Sequence, residues 1–152
     1  DEPTVAVDAQ SRKFILDGIK NLAENGSSIL YTTHYLDEAE YLCNKISIMD
    51  NGKNILTGDM QTLINGVSVK EKITVVGFIK PEIISILEKQ DEVIDVETKE
   101  NQVTFNYSSD TGNIKKLIYL LDENNVVYEE IFSKKPKLED IFLEMTGKEL
   151  RE

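Results

Sequence analysis

The sequence predicts an α/β segment followed by a small α+β domain. Three observations predict it: an amphipathic helix running straight into a β-rich stretch, a tight-hairpin signal at Asn51-Gly52, and a second half whose apolar residues spell strand, helix, strand, strand, helix, strand. With 152 residues, 40% of them apolar and 30% charged, the chain can bury the core of one domain or of two small ones.

The first helix is expected from Ala9 to Glu24. Asp8 suits its N-cap, Phe14, Ile15, Ile19 and Leu22 recur at helical spacing, and Asn25-Gly26 ends it. Ser28-Ile29-Leu30-Tyr31-Thr32-Thr33 reads as a short strand buried on both faces of a parallel sheet, with His34 at its carboxyl end. Residues 36–44 read as a short helix. Lys45 to Asp50 and Asn54 to Thr57 read as two strands joined at Asn51-Gly52, and Asp59 caps one more helix as far as Ile64. Periodicity is lost between Asn65 and Lys70, which divides the chain into residues 1–68 and 69–152.

In the second part, strands are expected at Ile73–Ile79, Val93–Thr98, Gln102–Tyr107 and Val126–Phe132, with helices at Pro81–Lys89 and Gly112–Glu123 between them. That βαββαβ order is the split-βαβ, ferredoxin-like arrangement, a plan that says little about activity by itself. A final helix, Leu138 to Met145, follows Pro136 and ends at Gly147.

The formal charge of -11 is spread along the chain, and such a surface repels phosphate backbones, so nucleic acid is not the expected partner. The one cysteine, Cys43, has no partner for an intramolecular disulfide, and the sequence reads as intracellular. No apolar run approaches the roughly 20 residues that span a bilayer, so a membrane role is expected to pass through a partner. The opening Asp1-Glu2-Pro3-Thr4 has no methionine and reads as cut from something longer.

If a strand precedes Asp1, then Asp1-Glu2, the first helix and the run ending at His34 form part of a β-α-β unit. The handedness of such crossovers would bring two acids and an imidazole to one sheet edge, where open α/β sheets bind ligands. Acids and a histidine on one rim suit phosphoryl transfer: one carboxylate holds a metal ion, the other positions or deprotonates water, and the imidazole meets the transferred phosphate. Singly, each residue has a plainer reading, as a solvated acid pair, a structural histidine, or, for Asp8, a helix cap. Their combination carries the case.

Asp1-Glu2-Pro3-Thr4, with Asp8 and then Gln10-Ser11-Arg12, resembles the end of the Walker B motif and the D-loop of ABC ATPases. Thr32-Thr33-His34-Tyr35-Leu36-Asp37-Glu38-Ala39-Glu40 resembles that family's switch-histidine loop and the helix after it. The hairpin Ile48-Met49-Asp50-Asn51-Gly52-Lys53 and Gly58-Asp59 fall where the family has them. Residues 136–147 are similar to the end of the additional C-terminal domain common in its bacterial export-type branch.

The resemblance implies the C-terminal part of a P-loop nucleotide-binding domain followed by an accessory domain. It also implies roles: Asp1 on the nucleotide's Mg2+ through water, Glu2 as general base, His34 at the γ-phosphate, and Asp8 coupling the two sites of a nucleotide-sandwich dimer. It further implies ATP and Mg2+ as ligands, a second ATP-binding subunit and a transmembrane permease as partners, and a cytoplasmic place at the inner face of the membrane. The family's Walker A loop, Q-loop and signature motif are not within these residues, so the chain alone is expected to be inactive. Two positions depart from the pattern: Ala6 stands where the family usually has Gly, and Ala9 where it has Pro. If position 6 needs a positive φ, alanine costs on the order of 1 kcal/mol there. Two alternatives remain open at this point: a regulatory or interaction module built on the βαββαβ part, and a soluble ABC ATPase that moves no cargo.

Overall fold

The computed structural model describes residues 1–147, and the last five residues of the predicted second domain lie outside this range. The described residues divide into two compact units, Asp1–Leu63 with Leu138–Gly147, and Ile64–Lys137.

In the first unit, helix α1 (Ala9–Glu24) starts where Asp8 accepts hydrogen bonds from the backbone N–H groups of Gln10 (2.9 Å) and Ser11 (3.0 Å). It ends in a left-handed Gly26 (φ 93°), with Gly26 N–H donating to Ala23 and Ser27 N–H reaching back to Leu22. That closing pattern satisfies carbonyls the helix would otherwise leave bare. Helix α2 (Leu36–Leu42) follows, then strands β1 (Ile46–Asp50) and β2 (Lys53–Gly58), an antiparallel pair closed by Asn51 (φ 48°) and Gly52 (φ 72°). Two successive positive φ angles make the two-residue turn whose twist matches the flanking strands, as the Asn-Gly pair predicts. Helix α3 (Met60–Asn65) is capped by Asp59, which accepts from Thr62 N–H at 2.8 Å.

The second unit runs β3 (Glu71–Val76), α4 (Pro81–Leu87), β4 (Val93–Lys99), β5 (Gln102–Tyr107), α5 (Asn113–Glu123) and β6 (Glu130–Lys134). Its four strands form one antiparallel sheet in the order β4-β5-β3-β6. Alternate residues of the two central strands, Ile73 and Val75 on β3 and Val103, Phe105 and Tyr107 on β5, are buried with Leu87 of α4 and Leu117 and Leu121 of α5. The spacings of two on the strands and four on α5 put one face of each element into the same core. Gly77, just after β3, is at φ 141°, and a Cβ there would stand 3.0 Å from the Tyr128 backbone, so only glycine fits.

Two expectations are corrected. Ser28–Thr33 is not a strand, and both sheets among the described residues are antiparallel rather than parallel. Strand geometry needs ladder partners on the strand's edges. Here Leu30 is 92% exposed, and the link to the first residues is a single backbone bond from Glu2 N–H to the Thr32 carbonyl (2.9 Å). Second, the terminal helix α6 (Leu138–Thr146) groups with residues 1–63 and not with the βαββαβ part, because Leu138 and Ile141 are buried and the Leu138 N–H donates to the Glu40 carboxylate on α2.

Phe105 is fully buried in the second unit's core. Phe105→Ala is expected to cost about 3–5 kcal/mol of unfolding free energy, read from the urea midpoint, with far less effect from truncating the exposed Tyr119.

Candidate functional site

Residues 1–8 form successive tight turns. Val5 N–H donates to the Glu2 carbonyl (3.3 Å) and Val7 N–H to that of Thr4 (3.4 Å). Glu2 (φ 41°) and Ala6 (φ 62°) are both left-handed, a conformation costing roughly 1–2 kcal/mol for an L side chain with a Cβ. Position 6 thus does require the positive φ that glycine would adopt freely, and alanine bears the strain.

The structure brings Glu2 and His34 together. The His34 Nδ1 and a Glu2 carboxylate oxygen are 2.7 Å apart, and both side chains are partly exposed. An ionised carboxylate only accepts, so Nδ1 carries the proton and Nε2 is left for another partner. Asp1 lies beside them, with one carboxylate oxygen accepting from the Thr32 hydroxyl. Asp8 is occupied elsewhere: its carboxylate accepts from Gln10 N–H, Ser11 N–H and the Ser11 hydroxyl (2.7 Å), all in the first turn of α1. Those bonds, the Ser11 hydroxyl foremost, hold its pKa below the ordinary 3.8.

Behind the pair sits a residue that sequence reasoning did not single out. Glu38 on α2 is 1% exposed, and its carboxylate accepts from Thr4 Oγ1 (2.6 Å), Arg12 Nε (2.7 Å), Tyr31 OH (2.7 Å) and Thr33 Oγ1 (3.1 Å). Burial pushes its pKa up, but the four bonds together outweigh burial and leave it lowered from 4.5. The same bond raises the Arg12 pKa, and Arg12 also grips Asp37 through Nη2 at 3.1 and 3.2 Å. Burial, then the bond to Glu38, pushes the Tyr31 phenol up to about 12. Tyr35 lies between two of these groups, its ring 4.1 Å from that of His34 and 4.7 Å from the Arg12 guanidinium carbon. In the sequence, Glu38 stands in the acidic run Asp37-Glu38-Ala39-Glu40, where nothing marks one acid as buried.

Among the described residues, no three acids, histidines or cysteines converge on a site that could hold a metal unaided. A magnesium ion delivered with a nucleotide needs only one or two protein carboxylates, since phosphates and waters complete its shell; the Asp1 carboxylate, with one oxygen not engaged by Thr32, fits that need. The Cys43 thiol is pushed up in pKa by burial, which makes it a poor nucleophile.

No family model matches the chain. Individual proteins do, over its whole length. It is 34% identical over 158 residues to the linearmycin resistance ATP-binding protein LnrL of Bacillus subtilis, covering 100% of this chain and 50% of that protein. It is 30% identical over 153 residues to the Nod factor export ATP-binding protein I of Ralstonia nicotianae, covering 100% and 47%, and 28% identical over 152 residues to the protein of the same name from Sinorhizobium fredii, covering 100% and 42%. The chain is a homologue of ABC ATP-binding proteins. It spans about half the length of these curated relatives, which act in export and resistance by their names. No helix among the described residues of the ABC homologue is long and apolar enough to cross a membrane.

The lowered pKa of Glu38 has a pH signature. A carboxylate with a folded-state pKa below its unfolded value contributes stability above the unfolded value, here near 4.5, and that contribution is lost as pH falls through the folded-state pKa. Asp8 acts in the same direction from 3.8. Stability is therefore expected to hold down to about pH 5 and decline below it. Urea unfolding at stepped pH should show a shallower acid decline in Glu38→Gln; an unchanged decline would assign the loss to other carboxylates.

Proposed function

We propose that the chain is the C-terminal part of an ABC transporter's ATP-binding subunit, hydrolysing ATP to power export through a transmembrane permease. The observation that carries this reading is the 2.7 Å contact between the Glu2 carboxylate and the His34 imidazole, made by the two segments that resemble the family's catalytic motifs. Likeness to Nod factor export ATP-binding proteins along the entire chain supports it.

In this reading Glu2 is the general base: its carboxylate accepts a proton from the water that attacks the γ-phosphate. His34, oriented by donating Nδ1–H to Glu2, turns Nε2 toward the phosphate. Asp1 would hold the Mg2+, through water, and the ion would supply neutralisation of phosphate charge. Asp8, fixed by Ser11 at the start of α1, couples the two sites of a nucleotide-sandwich dimer formed with a second ATP-binding subunit. Residues 1–63 together with helix α6 belong to the ATPase domain, and residues 64–137 form an accessory domain inserted between them. Two helical crossovers, β3-α4-β4 and β5-α5-β6, flanking the β4-β5 hairpin in the strand order β4-β5-β3-β6 with antiparallel neighbours, support a ferredoxin-like plan for the latter. The subunit works at the cytoplasmic face of the membrane, held there by the permease. A second reading, compatible with the first, makes the βαββαβ part a regulatory or interaction module, and its separate core supports that.

In the complete subunit, Glu2→Gln is expected to leave ATP binding in place and to lower turnover by about a hundredfold or more, the scale of a lost general base. His34→Ala should also abolish turnover. Full phosphate release in Glu2→Gln would make Glu2 a bystander and remove the basis of the reading. The 152-residue chain alone is expected to release no phosphate from ATP, and Glu2-dependent turnover by it would contradict the need for a phosphate cradle.

A further inference from the structure

We propose that Glu38 is a positioning residue that sets the geometry of the Glu2–His34 pair, a role resting on the function proposed above. Its carboxylate binds donors from each segment that carries a member of the pair. Thr4 lies two residues after Glu2, in the turn that holds Glu2 left-handed. Thr33 immediately precedes His34, and Tyr31 lies three residues before it. The Thr33 hydroxyl also accepts from Tyr35 N–H at 2.9 Å, so both neighbours of His34 are fixed from the same side. Arg12 completes the set, with its Nε on Glu38 and its guanidinium carbon over the ring of Tyr35, which in turn lies against His34.

The turn after Glu2 and the segment before His34 are thus pinned to one buried acceptor. The pair itself is partly exposed and depends on backbone placement to stay at hydrogen-bond distance. Reacting groups displaced by about 1 Å can lose on the order of a hundredfold in rate, so a residue that touches no substrate can still govern turnover. The chemistry of the donors makes the claim specific. Arg12 can only donate, whereas the hydroxyls of Thr4, Tyr31 and Thr33 can turn to accept. Glutamine at position 38 can keep its carbonyl on Arg12 and Thr4 while its amide donates to Tyr31 and Thr33. Alanine leaves all four groups without the acceptor. The role is therefore one of hydrogen-bonded placement, not of charge.

The test uses the complete ATP-binding subunit and compares wild type, Glu2→Gln, Glu38→Ala and Glu38→Gln. Glu38→Ala should lower kcat about tenfold or more with KM for ATP within about twofold, and Glu38→Gln should recover most of the loss. A Glu38→Ala protein that keeps wild-type kcat, or that changes only KM, overturns the proposal. If Glu38→Ala does not fold, Thr4→Val and Thr33→Val, each removing one donor, should each lower kcat severalfold at constant KM, and unchanged kcat in both overturns it. A second readout does not depend on activity. The His34 Nδ1 15N resonance is identified in the complete subunit by its absence from His34→Ala. That resonance in Glu38→Ala, or in the two threonine variants, should move toward its position in Glu2→Ala, where the contact is gone; a wild-type position there overturns the proposal. Should Glu2→Gln keep full turnover, the ATPase reading fails, and the resonance still decides the positioning claim.

Discussion

A charge removed from water must be compensated where it lies, and in the first unit the compensation for one carboxylate organises much of the surrounding structure. Glu38 has almost no exposure, so its ionised form persists only because four donors point at it. Those donors come from the opening turn, from α1 and from the segment before His34, while the acceptor belongs to α2. Apolar packing of α1 contributes less than its sequence suggests. Phe14 is 81% exposed and no residue of the helix is buried, so α1 is held largely by Arg12 on Asp37 and Glu38 and by Tyr41 on Asp17. Directional bonds, more than area, locate the elements here.

That arrangement bears on the strain stored at the opening turn. Glu2 and Ala6 both occupy left-handed backbone, and such conformations last only where surrounding structure over-determines them. The bond from Thr4 to Glu38 and the backbone bond from Glu2 to Thr32 bracket Glu2 from both sides. A carboxylate aimed by a strained backbone and gripped by an imidazole is preorganised.

Local chemistry was the legible part of the sequence. Asp8 and Asn25-Gly26 bounded α1 to within a residue, Asn51-Gly52 announced the β1–β2 turn, and alternation located β5 at Gln102–Tyr107. The expected convergence of Glu2 and His34 on one edge matches their 2.7 Å contact. What failed was whatever depends on distant neighbours. Ser28–Thr33 has the composition of a buried strand yet lacks the ladder that would make it one. The strand expected from Val126 starts only at Glu130, because Val126 N–H is engaged with the Leu121 carbonyl at the close of α5. Glu38 was invisible for the same reason, since its burial is set by residues 34 and 26 positions away in the chain.

The helix that follows the βαββαβ part in the chain has a topological consequence. Helix α6 belongs with residues 1–63, while everything from Ile64 to Lys137 intervenes in the chain. The second unit is thus spliced into the first, not appended to it, and no single scission of the backbone parts the two. An exchange of the inserted unit between homologues would have to join at two seams, one on each side of it, to leave α2 with the helix it leans on.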